Sequence, residues 1–473
     1  MKLRNLIHIP IGIVCIGLLP WAQAVVPPPD GGYPGFTTAE GTNTLKNLST
    51  GVANTGIGWY SLFTNSTASY NTGVGAGTLL FNNGEENTAT GVAALLSNTD
   101  GLGNTAIGAA ALLSNTTGDV NTATGINALR SNTAGIENTA TGFDALYSNV
   151  SGDHNTATGA QALLTNDTGG DNTAAGYQAL LSNTSGAGNT ADGFQTLLNN
   201  STGNFNTATG VFALENNTTG DINVATGQQA LNHNTTGDEN VAVGASALFN
   251  NTAGTDNIAI GFSALLNNTG SGNIAIGTLA GANLTTGNSN LVIGNLLGGV
   301  AGEANTMRIG LSQFRTFISG IRGVTTGNAN AVPVVIDSDG QLGTMSSSRR
   351  FKHEIKPMDT ASQAILSLKP VTFNYKSDST NTPQFGLIAE DVAAVNPDLV
   401  VRDQNSEIYT VRYDAVNAML LNEFLKAHRI MEAQQNRIDN LNARLEQQAA
   451  QIQKVSALVE ASKPAAQVAL NDE

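Results

Sequence analysis

Asn138-Thr139-Ala140-Thr141-Gly142-Phe143-Asp144-Ala145-Leu146-Tyr147-Ser148-Asn149-Val150-Ser151-Gly152-Asp153-His154 is one period of a tandem repeat. Asparagine heads each copy, at positions 54, 71, 87, 104, 121, 138, 155, 172, 189, 206, 223, 240 and 257, almost always 17 residues apart. The consensus is Asn-Thr-Ala-x-Gly-x-x-Ala-Leu-x-x-Asn-Thr-x-Gly-x-x. Residues 37–45 form a degenerate first copy, and looser copies start at Asn273, Asn290 and Asn305. A fixed period of this length marks an array of stacked units rather than one globular core. Composition agrees: charged residues make up only 12%, glycines number 53, and hydrophobic residues reach 40%, too many for a disordered tail.

Each copy predicts one coil of a parallel β-solenoid, as short strand, turn, short strand, turn. Position two is threonine in most copies but Val224, Val241, Ile258 and Ile274 in the last ones. Position four exchanges threonine with Ile57, Val74, Val243, Ile260 and Ile276. Alternate strand positions share a face, so this exchange predicts that positions two and four point inward. Leucine at position nine then supplies a second core row. Glycine at position five fits a turn with positive φ, and the stacked asparagines can bond turn backbone from coil to coil. About sixteen coils at ~4.8 Å each give a shaft roughly 75 Å long. Pairs such as Thr139/Thr141 form an ice-binding array only on an outward face, and the inward assignment sets that reading aside. The Asn-x-Ala-Ile-Gly cores resemble the head repeats of trimeric autotransporter adhesins, which implies a left-handed β-roll. The fold class expected is therefore mainly β: a parallel β-roll or solenoid shaft, a small α+β domain, and a C-terminal trimeric coiled coil.

Around the shaft the chain changes character. Residues 25–340 hold 5 Lys+Arg against 20 Asp+Glu, whereas residues 341–473 hold 14 against 16. An acidic shaft argues against nucleic acid or an anionic membrane as partner, since both need basic surface. Lys2 and Arg4 precede an apolar run from Leu6 to Leu19, followed by Ala22-Gln23-Ala24. Residues 1–24 thus read as a secretory signal peptide cut after Ala24, which places the mature chain outside the cytoplasm as a secreted or cell-surface protein. The run is too short to span a bilayer. The sole cysteine, Cys15, lies in that leader, so the mature chain has no thiolate chemistry, and the five histidines show no metal spacing. No metal or cofactor is expected. Residues 25–36 are a Pro/Gly linker, residues 37–310 the shaft, and residues 311–343 a β neck with strands around Phe317 and Val334.

At the end of the neck stands Ser346-Ser347-Ser348-Arg349-Arg350-Phe351-Lys352. Downstream come Pro370-Val371-Thr372-Phe373-Asn374-Tyr375 and Gly386-Leu387-Ile388-Ala389-Glu390-Asp391-Val392. Asn396-Pro397-Asp398-Leu399-Val400 follows. Together these segments resemble the intramolecular chaperone domain of phage endosialidases and tailspikes, whose processing motif runs Ser-Asp-x-Arg-Leu-Lys. Here Ser348 takes the Asp position and Phe351 the Leu position. The resemblance covers about residues 344–445. It implies that Ser347 is a nucleophile and Lys352 its general base, and that the bond cut joins Ser346 to Ser347.

A Ser–Lys pair can do this chemistry once the lysine is neutral, and burial or neighbouring positive charge favours that state. Within residues 344–416, helices are expected at 360–368 and 389–395, and strands at 371–375 and 385–389. From Asn417 a long helix carries Phe424, Met431, Ile438, Leu445, Ile452 and Val459 seven apart. Leu420, Ala427, Leu441 and Val455 complete the seam of a coiled coil over residues 417–462, with Gln434 and Gln448 as polar seam positions. Residues 463–473 are a tail.

Three readings follow. One is an exported homotrimeric fibre whose end domain directs assembly and cuts itself off, a single-turnover serine self-endopeptidase with no external substrate. The second is the same fibre with an uncut trimerisation domain. The third, an enzyme acting on glycans, lacks a recurring pair of carboxylates in the repeats. A cell-surface or glycan ligand of the shaft is compatible with the first two.

Overall fold

The computed structural model describes residues 35–462, apart from positions 314, 320, 322–329, 339 and 404. The leader, most of the linker and the tail lie outside the described residues. The chain divides into two compact units between Phe317 and Ile318.

In the first unit every copy contributes one three-residue strand, from β1 (Thr38–Glu40) to β17 (Met307–Ile309), in a single 17-stranded parallel sheet. Neighbouring coils pair in repeat register, as Thr139↔Thr156, Ala140↔Ala157 and Thr141↔Thr158 show. The second strand expected in each coil does not form. Positions seven and nine adopt left-handed backbone (φ 55° at Asp144, 51° at Leu146), which cannot continue an extended run. Leucine nine is nonetheless fully buried, in one continuous core with alanines three and eight.

The inward face of the strand is the reverse of the one expected. Ala123, Ala140 and Ala157, at position three, are completely buried, while threonines two and four on either side face outward. The coil interior must hold leucine nine, alanine eight and two asparagines, which leaves room for a methyl group at position three. Because side chains alternate strictly, that one-residue choice moves threonine, valine and isoleucine to the outside together. The ground for setting aside an ice-binding array therefore falls, but the outward Thr-x-Thr pattern is broken at Ala175 and Asp192.

Two buried asparagine ladders hold the coils in register. The Asn138 Oδ1 accepts from the backbone N–H of Asn155 at 2.9 Å and from its Nδ2 at 3.1 Å. Asn138 Nδ2 in turn donates to the Gly152 carbonyl at 2.8 Å. At position twelve, Asn149 Nδ2 donates to the same carbonyl at 2.9 Å and to Asn132 Oδ1 at 2.9 Å. The glycine at position five turns the chain as expected: Gly142 has φ 139°, and a Cβ there would sit 2.5 Å from the Gly159 carbonyl oxygen of the next coil.

Truncating one ladder residue should open the shaft locally. Asn155→Ala removes a bond to the Gly169 carbonyl and strands the backbone N–H of Asn172. Each buried group left unpaired costs about 1–3 kcal/mol. Amide exchange at Thr156 and Thr173 should quicken by at least tenfold; exchange as slow as in the parent would mean the ladder does not hold these coils.

The second unit is small. β18 (Val335–Ile336) pairs antiparallel with β19 (Leu342–Gly343). A single 3-10 turn, Arg349–Phe351, follows, and then a nine-residue 3-10 helix, Asp359–Ser367, within a residue of the helix expected at 360–368. β20 (Val371–Phe373) and β21 (Gln384–Gly386) form one antiparallel pair, α1 spans Ala389–Val395, and β22 (Val400–Arg402) pairs with β23 (Ile408–Val411). The 49-residue helix α2 (Tyr413–Ala461) begins four residues before the expected start. Val392, Leu399, Val400, Val411 and Met419 make the core that seats α1 and the beginning of α2. Farther along α2 the heptad seam lies bare, with Ile438 49% and Ile452 65% exposed.

Candidate self-processing site

Ser346 and Ser347 lie in irregular chain immediately before the turn Arg349–Phe351. Two backbone bonds close that turn: Phe351 N–H to the Ser348 carbonyl and Lys352 N–H to the Arg349 carbonyl, each 3.1 Å. The Ser346 hydroxyl accepts from the Ser348 N–H at 3.3 Å. The Arg350 guanidinium lies over the Phe351 ring, 4.7 Å from its centre, a contact that holds a positive charge against the residue next to Lys352.

All of Ser346, Ser347, Ser348, Arg349, Arg350 and Lys352 are exposed. Among the described residues no hydrogen bond joins Ser347 to Lys352. The single chain thus places the two residues on one short exposed strip without assembling them into a dyad. Among the described residues there is also no group of three or more His, Cys, Asp or Glu side chains arranged to hold a metal ion.

The other motif segments converge. Pro370–Tyr375 contains β20, Gly386–Val392 starts on the last residue of β21 and enters α1, Val371 pairs with Gly386, and Phe373 meets Tyr375 edge to face at 5.3 Å. The Leu387 N–H donates to the Tyr413 hydroxyl at 3.0 Å, tying the glycine-led segment to the start of α2. A Cβ on Gly386 would stand 2.7 Å from that hydroxyl, which explains glycine at this position. Beside these strands lies an open apolar groove of about 710 Å³, lined by Ile365, Leu368, Val371, Phe385, Val416 and Leu420. Leu420 is also the first residue of the heptad seam, so groove and seam are continuous.

One polar cluster had no signal in the sequence. The buried Ser362 hydroxyl donates to the Glu423 carboxylate at 2.5 Å and accepts from Asn422 at 2.7 Å and Lys426 at 3.1 Å. Lys426 also bonds Glu423 at 2.6 Å and the Asp359 carbonyl at 2.5 Å. Hydrogen bonds from Lys426 and then Ser362 hold the Glu423 carboxyl below its ordinary range. Here a serine does meet a lysine, but the lysine is ion-paired and donates to three oxygens, so it is a clamp between the 3-10 helix and α2, not a base. The partners are 60 or more residues apart in sequence, which hides the cluster from any local pattern.

Residues 347–401 match the family model described as chaperone of endosialidase. The matched region opens at Ser347 and ends in β22, and it takes in both convergent motif segments. Comparisons with curated proteins and with solved structures return no match. The chain therefore carries a chaperone-of-endosialidase domain behind a β-solenoid repeat shaft.

Proposed function

We propose that this protein is an exported homotrimeric fibre whose C-terminal domain aligns the chains and then releases itself by cutting between Ser346 and Ser347. The observation that carries the reading is a chaperone-family segment C-terminal to a long array of near-identical coils. Such coils make a one-repeat slip between chains almost equal in energy to the correct register, and a non-repetitive domain that aligns the chains first removes that degeneracy.

Two surfaces support self-association. The seam of α2 is a stripe of mostly apolar residues at heptad spacing that is exposed among the described residues from Leu420 on, the pattern of a coiled coil. In the last coils the outward strand face turns apolar, with Val241, Val243, Ile258, Ile260, Ile274 and Ile276 in parallel register. That apolar stretch lies toward the end of the array nearer in sequence to the assembly domain.

The cleavage chemistry is self-contained. A lysine enclosed between packed chains, beside Arg349 and Arg350, loses the water that stabilises its charge, and its free amine can take the serine proton. The Ser347 oxygen attacks the Ser346 carbonyl carbon, and the proton passes to the departing Ser347 nitrogen. An ester to the Ser347 oxygen replaces the peptide bond, and water then hydrolyses it. The competing reading, an uncut trimerisation domain, draws on the open placement of Ser347 and Lys352 in the single chain.

N-terminal sequencing of secreted material tests the whole reading. Two starts are expected, Val25 from signal removal and Ser347 from self-cleavage. Chains beginning at Met1 in a membrane fraction would overturn export, and the absence of a Ser347 start would leave the uncut fibre.

A further inference from the structure

The seam of α2 consists of two rows, each with its residues seven apart. One row, from Phe424 to Val459, is apolar throughout. The other runs Leu420, Ala427, Gln434, Leu441, Gln448 and Val455, so glutamine interrupts it twice. Both rows are exposed in the single chain, the glutamines included. An all-apolar seam would be the more stable one, so two amides within it point to specificity instead.

We propose that Gln434 and Gln448 fix the register in which α2 meets second copies of itself, parallel and level, an inference that rests on the homotrimer proposed above. The partner follows from where an amide can be buried. A buried amide needs a hydrogen-bond partner, and the only other polar groups at seam positions are the same two glutamines. In a parallel, level bundle each row meets its own counterpart, so Gln434 meets Gln434, Gln448 meets Gln448, and amide bonds to amide. An antiparallel copy would set each row against the other row, and both glutamines would face the wholly apolar one. It would also bring Arg437 and Arg444, which flank the seam on one side, toward each other, like charge against like. An unrelated apolar surface would cover the aliphatic layers and leave both amides unpaired.

Slipped registers fail for the same reason. One heptad is about 10.5 Å of helix. Moving one chain by that much sets Gln434 level with Ala427 or Leu441, and Gln448 level with Leu441 or Val455. Moving it by two heptads matches one Gln434 with Gln448 but sets the other Gln434 against Leu420. With leucine in place of both glutamines, a slip would cost only the layers lost at the ends.

The test uses full-length chains carrying Ser347→Ala, so that α2 stays attached, and Cys15→Ala, which removes the sole cysteine. Chains with Ile438→Cys and chains with Leu445→Cys are co-expressed, purified together and oxidised. Trypsin cuts after Arg437 and Arg444, which puts the two cysteines on different peptides for mass spectrometry. Level parallel chains should give only 438–438 and 445–445 links, because cysteines one heptad apart exceed disulfide reach. In chains that also carry Gln434→Leu/Gln448→Leu, the mixed 438–445 link should rise by about tenfold or more. Leucine suits both helix and seam, so α2 stays folded. Mixed links as frequent as like ones in the glutamine-bearing chains would overturn the proposal, as would a leucine variant that still gives like links alone. Glutamine-bearing chains with no links overturn it too, and their native mass then separates the causes. A three-chain mass would sink only this role of α2, whereas a single-chain mass would sink the homotrimer with it.

Discussion

Ser347→Ala is expected to leave every chain at full length while the protein still assembles. Removing the hydroxyl removes the atom proposed to form the ester, so the rate should fall on the order of a million-fold, to nothing measurable over days. Lys352→Ala should have the same outcome by a different route: the hydroxyl remains, but no base takes its proton. Ser346→Ala, in contrast, should be cut nearly as fast as the parent, because only its carbonyl takes part. The three variants differ by single side chains on one exposed strip, so none removes a core contact. Denaturing gels read the result directly. Continued cleavage of Ser347→Ala would move the nucleophile to Ser348.

Deleting residues 344–473 is the second large effect. The remaining shaft keeps its ladders and alanine–leucine core, so each coil can still form. On the proposed reading it loses the device that sets the chains in a common register. Expression should give aggregated or single-chain shaft, with soluble three-chain material reduced to a small residue. The failure is one of assembly, so far-ultraviolet circular dichroism of any soluble fraction should still report β structure. A soluble three-chain shaft in normal yield would show that the coils align themselves, and the assembly role would fall.

Much of this architecture was legible because repetition is legible. The asparagine period located the coils, counted as about sixteen, and their parallel stacking, and the helix expected at 389–395 is α1. The face of the strand did not follow. Exchange among threonine, valine and isoleucine suits any half-covered β position, inward or outward. The better signal was the residue that never grows: position three is glycine or alanine in all but the loosest copies, which is the mark of a cramped interior. The hairpin of β22 and β23 was missed because Asp403 closes its turn, accepting from the N–H of Asn405 and Glu407 at 2.9 Å each, in a stretch that reads only as polar. The order of motif segments was visible from Ser347 to Val400, and the structure brings the middle two together where Val371 of β20 pairs with Gly386 at the end of β21. A Ser347–Lys352 dyad lies beyond what one chain can display, since the proposed burial comes from other copies.

The most direct measurement is the mass of the purified secreted protein, first native and then denatured. The native particle should weigh as three shafts, and the denatured sample should resolve a chain ending at Ser346 and a fragment beginning at Ser347. A native mass equal to one intact chain, unchanged on denaturation, would contradict both the assembly and the self-processing assigned to this domain.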